Sequence, residues 1–183
     1  MVSNEDRVKR LRQILQSDPE GREFDLALGC MVHFAAMTEF FLYQLLRTLL
    51  DSKHAGSVTA AMQASAVLDA VKRIVDTGGF SDQAGERMKD LVVDARQAFT
   101  ERNKYVHGLR FSDPGTTKTV MNKERRHGTY VRSQFTADDL YHLAATFQRL
   151  SGGFMSWQRE HVEGIPPGAP RLHPEDEPAE PGE

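Results

Sequence analysis

The chain has 183 residues, of which 39% are hydrophobic and 27% are charged, and its formal net charge at pH 7 is −3. That length fits one folded domain with room for appendages. The single cysteine, Cys30, excludes a disulfide within the chain, and the N-terminus has no apolar core of signal-peptide length. We therefore expect a cytoplasmic protein.

The last 23 residues differ in composition from the rest of the chain. Residues 161–183 contain six of the eight prolines, six acidic residues and one arginine. Such a segment cannot bury enough apolar surface to offset the entropy of ordering, so it is predicted to be a disordered acidic tail. The remaining domain, residues 1–160, has a net charge of +2, against −5 for the tail.

Four helical patterns fill the first two thirds of the domain. Residues 4–17 form a short amphipathic pattern that the Asp18–Gly21 turn signal interrupts. Residues 24–51 are apolar on more than one face, which predicts a central core helix rather than a membrane span. A further helix is predicted over 57–76, and the next over 81–107, with Ser81 as its N-cap and Gly108 as its terminator.

The remaining third of the domain combines strand and helix patterns. Residues 118–121 and 129–132 flank a polar bend and predict a β-hairpin. Thr136 and Asp139 have the spacing of a capping box, so the last helix is expected to run from there to about residue 159. The sequence therefore predicts an all-α, four- to five-helix bundle with a small β-hairpin insertion before the last helix.

Two charged residues occupy helix faces that are otherwise apolar. Arg102 continues the seam of Val92, Ala95 and Phe99, and Glu39 lies on one stripe with Leu42. A charge on a core-facing stripe is costly unless it is paired, so Glu39 could hold Arg102 in an ion pair. The alternative is that each side chain extends along its stripe to reach solvent.

Three polar side chains come together at the end of the 81–107 helix. Asn103 and His107 are four residues apart on one face, with Arg102 beside them. The reference pKa of histidine suits the removal of a proton from a ribose 2′-hydroxyl, and arginine stabilises the charge on a phosphorane. This set contains one proton-transfer group, so we expect a symmetric dimer to supply a second His107 as general acid.

The segment from 96 to 132 is the most basic part of the chain, with nine Lys and Arg residues against three acids. Such a charge suits an RNA backbone, although a solvated charged hairpin has the same composition. The His, Cys, Asp and Glu residues lack metal-ligand spacing, so the reaction is predicted to need no metal and no cofactor. The predicted RNA-binding residues are Lys104, Tyr105, Arg110, Lys123, Arg125 and Arg126.

The sequence Arg-Asn-Lys-Tyr-Val-His at 102–107 resembles the R-x(4–6)-H motif of the HEPN superfamily. The resemblance extends over residues 24–157 and includes the helix with Glu39 and the helix that follows the hairpin. It implies a dimeric helical bundle with two facing motifs and metal-independent RNA cleavage in a toxin–antitoxin, phage-defence or RNA-processing system. Arg102 and His107 would be catalytic, with Asn103 in support and an antitoxin or other protein as a further partner. The alternative is a noncatalytic HEPN-like module that dimerises and binds RNA, a nucleotide or a protein.

Overall fold

A computed structural model describes residues 3–77, 80–107, 109–111, 119–123 and 130–162. The protein is predominantly helical, as the sequence predicts, and four long helices enclose its core. In chain order the elements are α1 (Asn4–Ser17), α2 (Pro19–Leu50), α3 (Ala55–Thr59), α4 (Ala64–Thr77), α5 (Asp82–His107), β1 (Leu109–Phe111), β2 (Thr119–Lys123), β3 (Tyr130–Gln134) and α6 (Ala137–His161).

The junction between α1 and α2 is a single capping residue. Asp18 ends α1, and its carboxylate Oδ1 accepts a hydrogen bond from the Gly21 backbone N–H at 2.8 Å. Pro19 occupies the first turn of α2, where its missing N–H costs nothing. The Asp18–Gly21 segment, predicted as a turn, therefore caps and begins the next helix. The predicted start of that helix near Phe24 is wrong, because α2 begins at Pro19.

The core is organised around α6. Thr38 on α2 is hydrogen-bonded to Ser151, and Gln158 donates to Thr48, so α2 and α6 run in the same direction. Trp157 donates its indole N–H to the Ala84 carbonyl at 2.9 Å at the start of α5, which runs antiparallel to α6. Helices α4 and α5 complete the bundle, with α5 lying diagonally across from α2. The largest fully buried side chains are Trp157, Phe147, Phe154, Met31, Leu42, Leu45 and Leu46.

The helix predicted over 57–76 is two helices, because α3 ends at Thr59 and α4 begins at Ala64. Two contacts from α2 hold the connection between them. The Tyr43 hydroxyl donates to the Met62 carbonyl, and Arg47 Nε donates to Thr59 Oγ1 at 3.1 Å. Since both contacts are distant in sequence, the alanine-rich pattern of this segment gives no sign of the break.

Between α5 and α6 lies a three-stranded antiparallel sheet in the order β1–β2–β3. Leu109 is paired with Met121, and Lys123 with Tyr130. The sequence predicts only two of these strands, because β1 is short and follows α5 almost directly. The connections at 112–118 and 124–129 lie outside the described residues.

The last helix begins with the capping box that the sequence predicts. Asp139 N–H donates to Thr136 Oγ1 at 3.2 Å, and Thr136 N–H donates to Asp139 Oδ2 at 2.8 Å. The two reciprocal bonds satisfy donors that the first turn would otherwise leave unpaired. Helix α6 ends at His161, so the first residue of the predicted tail 161–183 belongs to the helix. Residues 163–183 lie outside the described residues.

Within the described part of the chain, α2 is long and apolar enough to cross a membrane by length and composition. The mean hydropathy of its most apolar 18 residues is 1.5, and 28% of that window is buried inside the fold. Core helices of soluble proteins satisfy the same criterion, so composition alone does not place α2 in a lipid bilayer. The low buried share means that α2 presents apolar side chains on its outer side.

Candidate functional site at the end of helix α5

Helix α5 carries Arg102, Asn103 and His107 in its last two turns, immediately before β1. Asn103 and His107 are exposed and lie on one side of the helix, about 40° apart in projection. Arg102 lies about 100° away from Asn103, toward the core, and is half-buried. The structure therefore places all three residues at one end of the bundle, with Arg102 at the edge of the core and the other two in solvent.

The Arg102 guanidinium bends toward the face that carries Asn103 and His107. Its Nη1 donates to Asn103 Oδ1 at 3.2 Å, which fixes the orientation of the amide. Its Nε is buried and, among the described residues, has no hydrogen-bond partner. A buried donor without a partner costs about 1–3 kcal/mol. Arg102 is thus held in an arrangement that folding alone does not favour.

The expected ion pair between Glu39 and Arg102 is wrong. Both residues are described by the structure, and the Glu39 carboxylate does not lie within ion-pair distance of Arg102. Helices α2 and α5 are diagonal in the bundle, and the two residues lie at different heights along it. Thr38, which precedes Glu39, is level with Phe147 and Ser151 of α6. Phe99 also contacts Phe147, and because α5 runs antiparallel to α6, Arg102 lies one turn further from the height of Glu39 than Phe99 does. The offset is about 10 Å along the axis.

Glu39 is half-buried and lies close enough to Tyr43 to affect its ionisation. Burial and the Glu39 carboxylate both raise the pKa of Tyr43. Glu39 therefore does not support Arg102 through an ion pair, which is the role that the sequence analysis expects of it. The extension of Arg102 toward Asn103 corresponds to the alternative interpretation, in which the side chain reaches outward along its helix.

The predicted RNA contacts next to the motif are engaged within the protein. Lys104 Nζ is 2.5 Å from Glu101 Oε1, in an exposed pair one turn apart. The Tyr105 ring contacts the Phe135 ring edge-on, with centroids 4.3 Å apart. Burial raises the pKa of Tyr105 to about 12, with smaller contributions from the negative charges of Asp139 and Glu101. Tyr105 is thus a neutral packing residue, and part of its ring is not accessible for stacking on a base.

The other predicted RNA contacts belong to the sheet region. Arg110 lies in β1 opposite Val120, and Lys123 ends β2 opposite Tyr130. Arg125 and Arg126 lie outside the described residues. Because β1 begins two residues after His107, the sheet backbone extends directly from the candidate site.

Sequence reasoning missed two residues that shape this site. Glu101 is the partner of Lys104, and Phe135 supports the Tyr105 ring. The three-residue spacing of Glu101 and Lys104 on a helix was a usable signal. Phe135 gave no such signal, because it approaches from a segment thirty residues further along the chain.

Across the residues that the structure describes, no group of three or more His, Cys, Asp or Glu side chains has the arrangement of a metal site. No protein-family model, no curated protein and no solved structure matches this chain. What the α5 end offers is one guanidinium, one amide and one imidazole on an open surface.

Proposed function

We propose that this protein is a metal-independent endoribonuclease of HEPN type whose active residues are Arg102, Asn103 and His107. The observation that carries the proposal is the Arg102–Asn103 hydrogen bond at the exposed end of α5, with His107 one turn further on. This arrangement joins an anion-binding group to one proton-transfer group, and RNA strand cleavage uses both kinds of group.

In the proposed reaction the neutral His107 imidazole removes the proton from a ribose 2′-hydroxyl. The 2′-oxygen then attacks the adjacent phosphorus, and the bond from phosphorus to the 5′-oxygen breaks. Arg102 stabilises the negative charge of the phosphorane through charge-assisted hydrogen bonds, and Asn103 orients the guanidinium. The products are a 2′,3′-cyclic phosphate and a 5′-hydroxyl, so no water and no metal enter the first step.

The departing 5′-oxygen needs a proton, and in an in-line displacement it leaves on the side of the phosphorus opposite to the 2′-oxygen and its base His107. A second copy of the chain would provide another imidazole if two α5 ends met across a two-fold axis. Val106, which lies between Asn103 and His107 in sequence, is 38% exposed and would be available for such a contact. We propose that this protein is a cytoplasmic toxin or defence effector and that it acts as such a homodimer.

The test is cleavage of single-stranded RNA by the full-length chain in the presence of EDTA. We expect wild-type cleavage, and a loss of about 100-fold or more in His107→Ala and Arg102→Ala, the usual cost of removing a proton-transfer or oxyanion-stabilising group. His54→Ala is the matched control, since His54 is also exposed but precedes α3. Unchanged cleavage in a folded His107→Ala variant would exclude the proposed mechanism.

A second function is favoured by one specific observation. The outer side of α2 exposes large apolar residues, among them Leu26 and Phe40, and such a surface is typical of a protein–protein contact. A noncatalytic module that dimerises and binds RNA, a nucleotide or a protein would use this surface. RNA binding with no cleavage by the wild-type chain, at any metal concentration, would support this second function over the first.

A further inference from the structure

Helix α1 contributes little to the core of the bundle. Its main packing neighbour among the described elements is α2, to which the single residue Asp18 joins it. Every side chain of α1 that the structure describes is exposed, and the apolar Val8 is 47% exposed. Ser3 Oγ accepts the Asp6 backbone N–H at 3.1 Å and caps the helix. Helix α1 is therefore a capped helix whose surface is open to solvent.

The sequence divides α1 into an apolar side and a polar side. Its four apolar residues are Val8, Leu11, Ile14 and Leu15. At 3.6 residues per turn, all four positions lie within about 60° of Leu11, which marks the centre of the apolar side. The acids of the first turn, Glu5 and Asp6, occupy positions about 120° or more from Leu11. The negative charges of α1 are thus placed away from its apolar side.

Basic residues border the apolar side of α1. Arg10 and Arg12 are the sequence neighbours of Leu11, so each lies about 100° from it, one on either border. Lys9 lies on the polar side. Arg7 lies about 40° from Leu11, and a long arginine stem can follow an apolar surface while its guanidinium reaches polar surroundings. Positive charge therefore accompanies the apolar side along both of its edges.

The four basic residues of α1 are not neutralised within the described fold. Among the residues that the structure describes, none of the four forms an ion pair. The bundle differs, since Lys89 and Lys104 of α5 each pair with a glutamate one turn away. Asp6 has the spacing to pair with Arg10, but its carboxylate accepts the Ser3 hydroxyl at 2.8 Å. The positive charge of α1 is therefore available to an external anion.

We infer that α1 binds the surface of an anionic phospholipid bilayer, with its apolar side toward the acyl chains and its basic residues at the headgroups. A flat anionic plane meets both basic borders at once, and helices of this pattern are typical of bilayer surfaces. RNA would engage the basic residues but leave the apolar side unused. A second copy of α1 fits less well, because the pattern covers only two heptads and like charges border both helices.

The length of α1 sets the kind of membrane contact. Its 14 residues extend over about 21 Å, less than the roughly 30 Å of a bilayer's hydrocarbon core, so α1 lies along the surface and does not cross it. Four apolar residues give weak and reversible binding, which we expect to be half-maximal on the order of 10⁻⁴ M lipid. This inference does not depend on the proposed nuclease.

The test is co-sedimentation of the full-length chain with vesicles of phosphatidylcholine, either pure or with about a third of phosphatidylserine, at up to about 1 mM lipid. We expect binding to the anionic vesicles and at least about tenfold weaker binding to the neutral ones. The double change Arg10→Gln and Arg12→Gln should weaken binding to anionic vesicles about 30-fold. Lys53→Gln with Arg73→Gln is the matched control, since both residues are exposed and lie outside α1.

The apolar side is tested separately with Val8→Asp. This change removes an apolar contact and adds a negative charge, so we expect binding to anionic vesicles to weaken at least about tenfold. Val93→Asp is its control, because Val93 is a 62% exposed valine on α5. Circular dichroism and the fluorescence of the buried Trp157 show whether each variant is folded. If Val8→Asp loses helix, the double arginine variant still decides the question.

Several results would overturn the inference. These are a wild-type chain that does not sediment with anionic vesicles, a chain that binds neutral and anionic vesicles equally, and a folded double arginine variant that binds as the wild type does. A control variant that loses binding to the same extent would assign the effect to overall charge. If the wild type ignores vesicles and the double arginine variant loses affinity for a single-stranded RNA in fluorescence anisotropy, α1 is an RNA-binding helix instead.

Discussion

Replacing Arg102 by methionine should stabilise the fold while it removes the proposed nuclease activity. The buried Nε has no partner among the described residues, and an orphaned donor costs about 1–3 kcal/mol. Methionine retains an unbranched stem of similar length and places no polar atom at that point. The variant loses the 3.2 Å bond from Nη1 to Asn103, whose contribution is about 0.5–1.5 kcal/mol or less at an exposed position. We expect the free energy of unfolding to rise by about 1 kcal/mol.

Urea denaturation monitored by fluorescence measures this change directly. Trp157 is the only tryptophan and is fully buried in the core, so it reports global unfolding. Arg87→Met is the control, because Arg87 is bonded to Glu160 and Ser156 and its removal should leave stability unchanged or lower. A less stable Arg102→Met variant would refute the reasoning, since it would show that the guanidinium contributes to folding and is not held there against it.

Three further predictions follow from packing and protonation. Thr38→Val should cost about 1 kcal/mol, because the fully buried Thr38 hydroxyl lies within hydrogen-bond distance of two carbonyl oxygens and the Ser151 hydroxyl, and urea titration would measure the loss. Gly152→Ala should gain up to about 1 kcal/mol from helix propensity, whereas Gly153→Ala should gain less in the same assay, because its Cβ would lie 2.6 Å from Leu91 Cδ2. The Tyr105 pKa is raised to about 12, above its unfolded value near 10, so stability should fall as pH rises between these values, and Tyr105→Phe should reduce that slope.

The helix ends that the sequence predicts well are those set by local hydrogen bonds. Ser81 Oγ accepts from the Ala84 backbone N–H at the start of α5, and Thr136 and Asp139 form the capping box of α6. Each of these signals lies within four residues of the element that it starts, so one sequence suffices to find it. The break between α3 and α4 is different, because Tyr43 and Arg47 on α2 hold it from a distance.

The same distinction separates the parts of the candidate site. Asn103 and His107 share a face because of helix geometry alone, and the bond from Arg102 to Asn103 joins neighbouring residues. The Glu39 pairing depends on which helices are adjacent and at what height, and periodicity does not specify either. A stripe pattern identifies the side of a helix that faces the core, but the diagonal placement of α2 and α5 comes only from the packing of all four long helices.

The position of a second chain decides how the α5 end can work. In the proposed reaction His107 performs one proton transfer at a time, so cleavage through a partner's imidazole would require the α5 ends to meet. If a monomeric chain cleaves RNA at the full rate, each α5 end acts alone, and the second proton comes from another group or from water.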